Sequence, residues 1–132
     1  MQDTLPIHFA PLQGYTEAIY RNAHDAFFGG VDTYYTPFVR LEKGNFRRRD
    51  VRGIEPENNG VTHLIPQLIA SSAEKAEVIL SLFIEKGYQE VDINLGCPFP
   101  LLAKRHNGSG ILPYPEEVKA LLSIVTRYPQ IS

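Results

Sequence analysis

The sequence predicts an α/β fold built on a parallel sheet, and three observations predict it. Short apolar, β-branched segments alternate with longer amphipathic ones, the pattern of successive β–α units. The amphipathic segments are punctuated as separate helices are, by glycine stops at Gly29-Gly30 and Gly87, a capping box at Ser71-Glu74 and a proline start at Pro115. The turn after the first strand, Ala10-Pro11-Leu12-Gln13-Gly14, lacks the glycine triplet that seats a pyrophosphate on a helix, which argues against a dinucleotide-binding sheet.

Ile7 to Pro11 reads as a first strand, bounded by Pro6 and by Gln13-Gly14. A helix follows from about Glu17 to the Gly29-Gly30 stop. Its expected buried face is Ile19, Tyr20, Ala23, Ala26 and Phe27. Val31 to Thr36 is rich in β-branched and aromatic residues and reads as a second strand, in which Tyr34 and Tyr35 point to opposite faces. Residues 40–62 show little periodicity and read as a long, partly irregular connection. His63 to Ala70 is a third strand. Ser71-Ser72-Ala73-Glu74 has capping-box form, with Ser71 as cap, and opens a helix that buries Ala76, Ile79, Leu80, Phe83 and Ile84 before Gly87. Glu90 to Leu95 is a fourth strand, followed by a glycine-containing loop from Gly96 to Gly110. The last helix starts at Pro115-Glu116-Glu117, where proline and acids suit a first turn, and its expected stripe is Val118, Leu121, Leu122 and Val125.

Four strands in β–α alternation fit either an open doubly wound sheet or part of a parallel (β/α) barrel of TIM type. A complete barrel takes roughly 250 residues, so 132 residues correspond to its first four or so β/α units. A half-barrel has two raw sheet edges and an uncovered inner face, which dimerisation would cover.

Composition narrows the function. With 43% hydrophobic residues the chain suits one soluble globular unit. A net charge of -2 excludes a strongly basic nucleic-acid binder, so RNA capture would use a local patch or a further domain. One cysteine excludes an internal disulfide, and four scattered histidines give no metal-ligand pattern. Residues 1–4 carry no signal-peptide features and no stretch is long enough to span a membrane. A cytoplasmic setting is expected.

The segment richest in chemistry is Asp92-Ile93-Asn94-Leu95-Gly96-Cys97-Pro98, at the C-terminal end of the fourth strand, the face on which barrels build active sites. Asn94 carries an amide that both donates and accepts, suited to the edge of a planar heterocycle. Gly96 permits a sharp turn and Pro98 stiffens its exit, so Cys97 is displayed on a rigid turn. Taken alone, a single cysteine reads first as a buried, inert thiol.

Asn94-Leu95-Gly96-Cys97-Pro98 resembles the N-x-G-C-P signature of the tRNA-dihydrouridine synthase family. Ala10-Pro11-Leu12-Gln13-Gly14 resembles its A-P-M-x-G opening, with Leu12 in place of the common methionine. Tyr35-Thr36-Pro37-Phe38-Val39-Arg40 resembles its second-strand segment, Pro66-Gln67-Leu68 its V-Q-L element, and Gly108-Ser109-Gly110-Ile111-Leu112 its G-x-G-x-x-L stretch. These elements occur in family order across nearly the whole chain.

The resemblance implies an FMN-dependent, NADPH-driven reduction of uridine to 5,6-dihydrouridine in tRNA. Pro11, Leu12 and Gln13 would line the FMN, largely through backbone groups, and Gln67 would bond its ring. Asn94 would hold the target uracil, with Arg40 and Lys104 as further substrate contacts. Cys97 would protonate C5 after hydride reaches C6; a thiol, with an ordinary pKa near ~8.5, holds its proton at neutral pH yet yields it to a carbanion-like centre. Residues 1–132 would be the N-terminal half of the barrel, without the C-terminal half and the helical tRNA-binding domain. Thr36-Pro37 departs from the family's Thr-Glu, a position tied to seating of the tRNA. Two other readings stand beside this one: an FMN barrel oxidoreductase acting on a small pyrimidine, and a truncated, inactive fragment.

The remaining motifs have plainer readings. Arg47-Arg48-Arg49, diluted by Asp50, Glu55 and Glu57, reads as a solvated loop. Lys104-Arg105-His106 lies in a loop that faces RNA in the family. Gly108-Ser109-Gly110 reads as a flexible turn, His8 and His63 as structural, and Glu116 and Glu117 as helix-dipole partners.

Overall fold

The computed structural model describes residues 4–132, so residues 1–3 of the N-terminal stretch read above lie outside the described residues. Parallel strands with helices packed on one side form a partial β/α fold, and the strands neighbour one another in chain order. Strand β1 (His8–Phe9) pairs with β2 (Thr33–Tyr35), and β2 with β5 (Leu64–Ile65). Strand β6 (Gln67–Leu68) pairs with β7 (Asp92–Ile93). The order lacks the reversal of a doubly wound sheet.

The expected third strand is thus two, β5 and β6, split at Pro66, which has no N–H for a ladder. The split is bridged by polar groups. The Pro66 carbonyl accepts from Asp92 N, and buried Thr36 Oγ1 accepts from Gln67 N at 3.0 Å.

Residues 40–62 are more regular than their sequence predicts. A hairpin of β3 (Leu41–Glu42) and β4 (Asn45–Phe46) turns through Lys43 and Gly44, both with positive φ. Helix α2 (Arg48–Ile54) follows. Arg47 closes on Asp50 through two hydrogen bonds of 2.8 Å, with Arg49 nearby, so the arginine run is the ion-paired start of a helix and not a solvated loop. No apolar periodicity could announce elements this short.

Helix α3 (Ala73–Glu85) buries Ala76, Ile79, Leu80 and Phe83 as expected, and Gly87 leaves it with φ +88°. Its cap is Ser72, not Ser71: Ser72 Oγ accepts from Lys75 N, while Ser71 Oγ accepts from Lys75 Nζ. Helix α5 (Pro115–Val125) packs on α3 through Leu121 and Ile124; Leu122, expected inside, lies outside. Val39, Leu68, Ile79, Phe83, Ile111 and Leu121 join sheet and helices in the main core.

Helix α1 (Ala18–Phe27) forms where expected but with the opposite side inward. Ile19 is 85% and Phe27 84% exposed, and Tyr20, Ala23 and Ala26 are also outside. Polar anchors set this rotation. Arg21, fully buried, donates to the Thr16 carbonyl at 2.8 Å and the Gly53 carbonyl at 2.7 Å. Asn22 accepts from Gly60 N and donates to the Asn58 carbonyl. His24 bonds the Tyr34 hydroxyl at 2.8 Å and packs its ring on Phe9. Burial lowers the Arg21 pKa from its ordinary value, opposed by Tyr88 and Glu17.

Candidate functional site

Alternation along the strands gives the sheet a polar face opposite the helices. At its lower edge His63 bonds both Thr33 Oγ1, at 2.9 Å, and the Glu90 carboxylate. Above it His8 bonds the Tyr35 hydroxyl at 2.8 Å. Tyr34, on the other face, lies buried against Phe9 and His24. Burial raises the Tyr35 pKa, with Asp92 and Glu90 adding to the shift.

Higher still, at the C-terminal ends of the strands, five residues connect. Gln67 Nε2 donates to Asp92 Oδ2 at 2.6 Å, and Asn94 Nδ2 donates to Gln67 Oε1 at 2.9 Å. Asn94 Oδ1 accepts from Cys97 N at 2.9 Å and Gly96 N at 3.1 Å. The side chain of Asn94 thereby templates the turn that carries Cys97. Its acceptor oxygen is engaged twice within the turn.

The Cys97 side chain is half-buried against Phe38, Ile69 and Leu102. Its carbonyl accepts from both the amide and the hydroxyl of Ser109, each at 3.0 Å. Gly108 lies so close that a Cβ there would fall 2.6 Å from the Cys97 carbonyl oxygen, and one at Gly110 would fall 2.0 Å from the Ala103 oxygen. The glycine-serine-glycine segment is therefore a clamp on the cysteine turn and not a flexible loop. The short helix α4 (Pro100–Ala103) completes the enclosure.

A cleft of about 850 Å³ adjoins this turn. Phe38, Ile69 and Leu102 are shared between its wall and the packing around Cys97, and Arg40, Lys43 and Arg105 stand along it. Gln13 also lines it, and its buried Oε1 has no hydrogen-bond partner. Leu12 differs: its N–H donates to Thr16 Oγ1, and its carbonyl accepts from Tyr15 N and Thr16 N, so its backbone is committed to the local turn. Pro11 is half-buried and the Leu12 side chain exposed.

The structure thus brings together Gln67, Asn94 and Cys97, and places Gln13 and Arg40 on the neighbouring cleft. Lys104 is exposed and does not line the cleft; Arg105 does. His106 is tied to Glu117 at 2.9 Å and stacks on Tyr114, so Glu117 has a partner beyond the helix dipole. Asp92, which ends the chain of side chains, opens the segment richest in chemistry but had no role assigned from sequence; its place two residues before Asn94 on one strand was the available signal. Among the described residues no group of three or more histidines, cysteines or acids could hold a metal, and no helix is long and apolar enough to cross a membrane.

A parallel β/α unit with a cysteine on a templated turn at its strand ends has the build of an enzyme module. The sequence model of the dihydrouridine synthase (Dus) family matches residues 8–130, and the chain belongs to that family, a family of oxidoreductases. It is 28% identical over 122 residues to the probable tRNA-dihydrouridine synthase 1 of Synechocystis sp., covering 88% of this chain and 32% of that protein. It is 33% identical over 61 residues to tRNA-dihydrouridine synthase B of Klebsiella pneumoniae, covering 46% of this chain and 19% of the relative. With the synthase B of Pectobacterium carotovorum it shares 24% over 118 residues, or 89% of this chain and 36% of that one. The chain spans about a third or less of the length of these relatives.

Proposed function

We propose that this chain forms the first four β/α units of a flavin-binding barrel of TIM type, acting in the cytoplasm on tRNA to reduce uridine to 5,6-dihydrouridine. The observation that carries the reading is the Asn94–Cys97 turn, built at the strand ends from the family's signature residues and clamped by Gly108 and Ser109.

The residues present fit a flavin. Gln13 Oε1 is a buried acceptor lacking a donor, and the imide N–H of an isoalloxazine ring is such a donor. Gln67, whose amide also bonds Asp92 and Asn94, would meet the ring from the sheet side. FMN, recharged by NADPH, would supply the hydride for C6 of the uracil. Asn94 holds the uracil by its side-chain N–H. Cys97 Sγ–H delivers a proton to C5 as charge develops there, and the thiolate left behind recovers its proton from solvent. The base reaches this position only by leaving its stack. Arg40, Lys104 and Arg105 contact tRNA phosphates, an interaction weakened by salt.

The test is a titration of the full chain with FMN, followed by flavin fluorescence, with Gln67→Ala as control. Saturable quenching that the control loses is the expected result, followed by dihydrouridine in tRNA that disappears in Cys97→Ala. No quenching would overturn the flavin reading for this chain.

A further inference from the structure

We propose that Asp92 is a positioning residue that fixes the amide polarity of Gln67 in the same sense that the cysteine turn imposes on Asn94, so that Asn94 meets a bound ring with an N–H and never with a free acceptor. The two ends of the hydrogen-bonded chain carry the argument. Side-chain amides look alike when turned by 180°, and only their partners decide which way they face. A carboxylate only accepts and a backbone N–H only donates. At one end Asp92 Oδ2 therefore requires nitrogen from Gln67, which turns Gln67 Oε1 toward Asn94. At the other end Cys97 N–H and Gly96 N–H require oxygen from Asn94, which turns Nδ2 toward Gln67. Both ends demand the same sense. Reversing either amide would set N–H against N–H at the cysteine turn, or carbonyl against carboxylate at Asp92.

Asn94 Oδ1 already accepts two hydrogen bonds, which fills its capacity. What Asn94 retains for a ligand is its second Nδ2–H. The edge it takes must carry a carbonyl. Uracil has one at its 4-position, where negative charge collects as hydride reaches C6; cytosine has an amino group there, and two donors would face each other. The cysteine turn thus sets the choice between a keto and an amino pyrimidine, and Asp92 holds Gln67 in the sense that agrees with it. This consequence rests on the uridine reading above, whereas the polarity lock does not.

The experiment uses the ¹⁵N-labelled full chain, with Asp92→Leu and Asp92→Asn. Hydrogen exchange of the Gln67 and Asn94 side-chain amides reads the lock without ligand. Exchange at Gln67 is expected to rise at least about tenfold in Asp92→Leu, and to return close to native in Asp92→Asn, whose Oδ1 can still accept. An unchanged rate in Asp92→Leu would overturn the proposal. Should Asp92→Leu fail to fold by circular dichroism, the native chain decides: a Gln67 amide exchanging at the rate of free glutamine refutes the lock. Uridine and cytidine monophosphates are then titrated separately. Shifts of the Asn94 amide roughly tenfold weaker for the cytidine probe are expected, a preference that Asp92→Leu keeps because Cys97 N–H and Gly96 N–H still hold Asn94 Oδ1. Equal response to both in the native chain refutes the donor-only site. Protected amides that respond to neither nucleotide would leave the Asp92 role standing and overturn the uridine reading instead.

Discussion

Gly108 combines a backbone φ of +57° with no space for a side chain, because the Cys97 carbonyl and Cβ lie within 2.9 Å of where its own Cβ would stand. Both features disfavour any other residue. Gly108→Ala is expected to destabilise the chain by about 2 kcal/mol or more, through left-handed strain and forced separation from the cysteine turn. A fall in Tm would show the first effect, and faster alkylation of Cys97 the second, since the half-buried thiol would be freed. Unchanged reactivity would mean that the clamp does not govern access. At this scale the sequence was partly legible. Cys97, Asn94 and Gln67 stood out through motif resemblance, and the structure joins them. The clamp was hidden because Gly-Ser-Gly is the same string whether it flexes in solvent or closes on a carbonyl. Asp92 was hidden because its role depends on a strand residue 25 positions away.

Helix caps show the same dependence one level up. Ser71 and Ser72 are adjacent and chemically identical, and pairing Ser71 with Glu74 selects the wrong one. Ser72 is in extended conformation, with φ -154° and ψ 159°, and its hydroxyl accepts from Lys75 N at 3.3 Å. Ser72→Ala is expected to cost about 1 kcal/mol in chemical denaturation, and Ser71→Ala only a few tenths. Equal losses would return the cap to both residues. Long periodic elements were readable: α3 stops just before Gly87, and α5 starts at Pro115 as its proline and acids indicate. The β3–β4 hairpin and α2 were not, because two-residue strands and a seven-residue helix carry too few positions for a period to emerge. What holds them is specific: Asp50, buried, accepts from the Arg47 side chain and from Arg40 N.

Across the whole molecule, several groups hold their protons more tightly than in an unfolded chain. Burial raises the pKa of Tyr34 and of Tyr88, and the hydrogen bond to Glu55 raises that of Lys86. The native state therefore keeps protons that the unfolded chain releases near pH 10, so stability from these groups is complete below that pH and lost as pH rises past it. Tm is expected to hold from neutral pH to about 9.5 and then fall, with part of the tyrosine absorbance at 295 nm appearing only on unfolding. The surface poses a separate test. Ile19, Phe27 and Phe28 each expose 80% or more of their area on one side of α1, with Tyr20 between them. Sequence periodicity assigned Ile19, Tyr20 and Phe27 of this stripe to the core, because an apolar face normally has a cover. Here Arg21, Asn22 and His24 hold the helix by its other side, so the stripe forms an apolar patch facing solvent. An environment-sensitive dye should bind the native chain, and the double substitution Ile19→Glu, Phe27→Lys should remove about half or more of that signal. Helical circular dichroism and Tm should hardly change, since both side chains contribute little to the packed interior. Dye binding unaffected by the substitutions would move its site to the open polar face of the sheet, while loss of the helix would show that the stripe is packed in solution, as its period alone predicts.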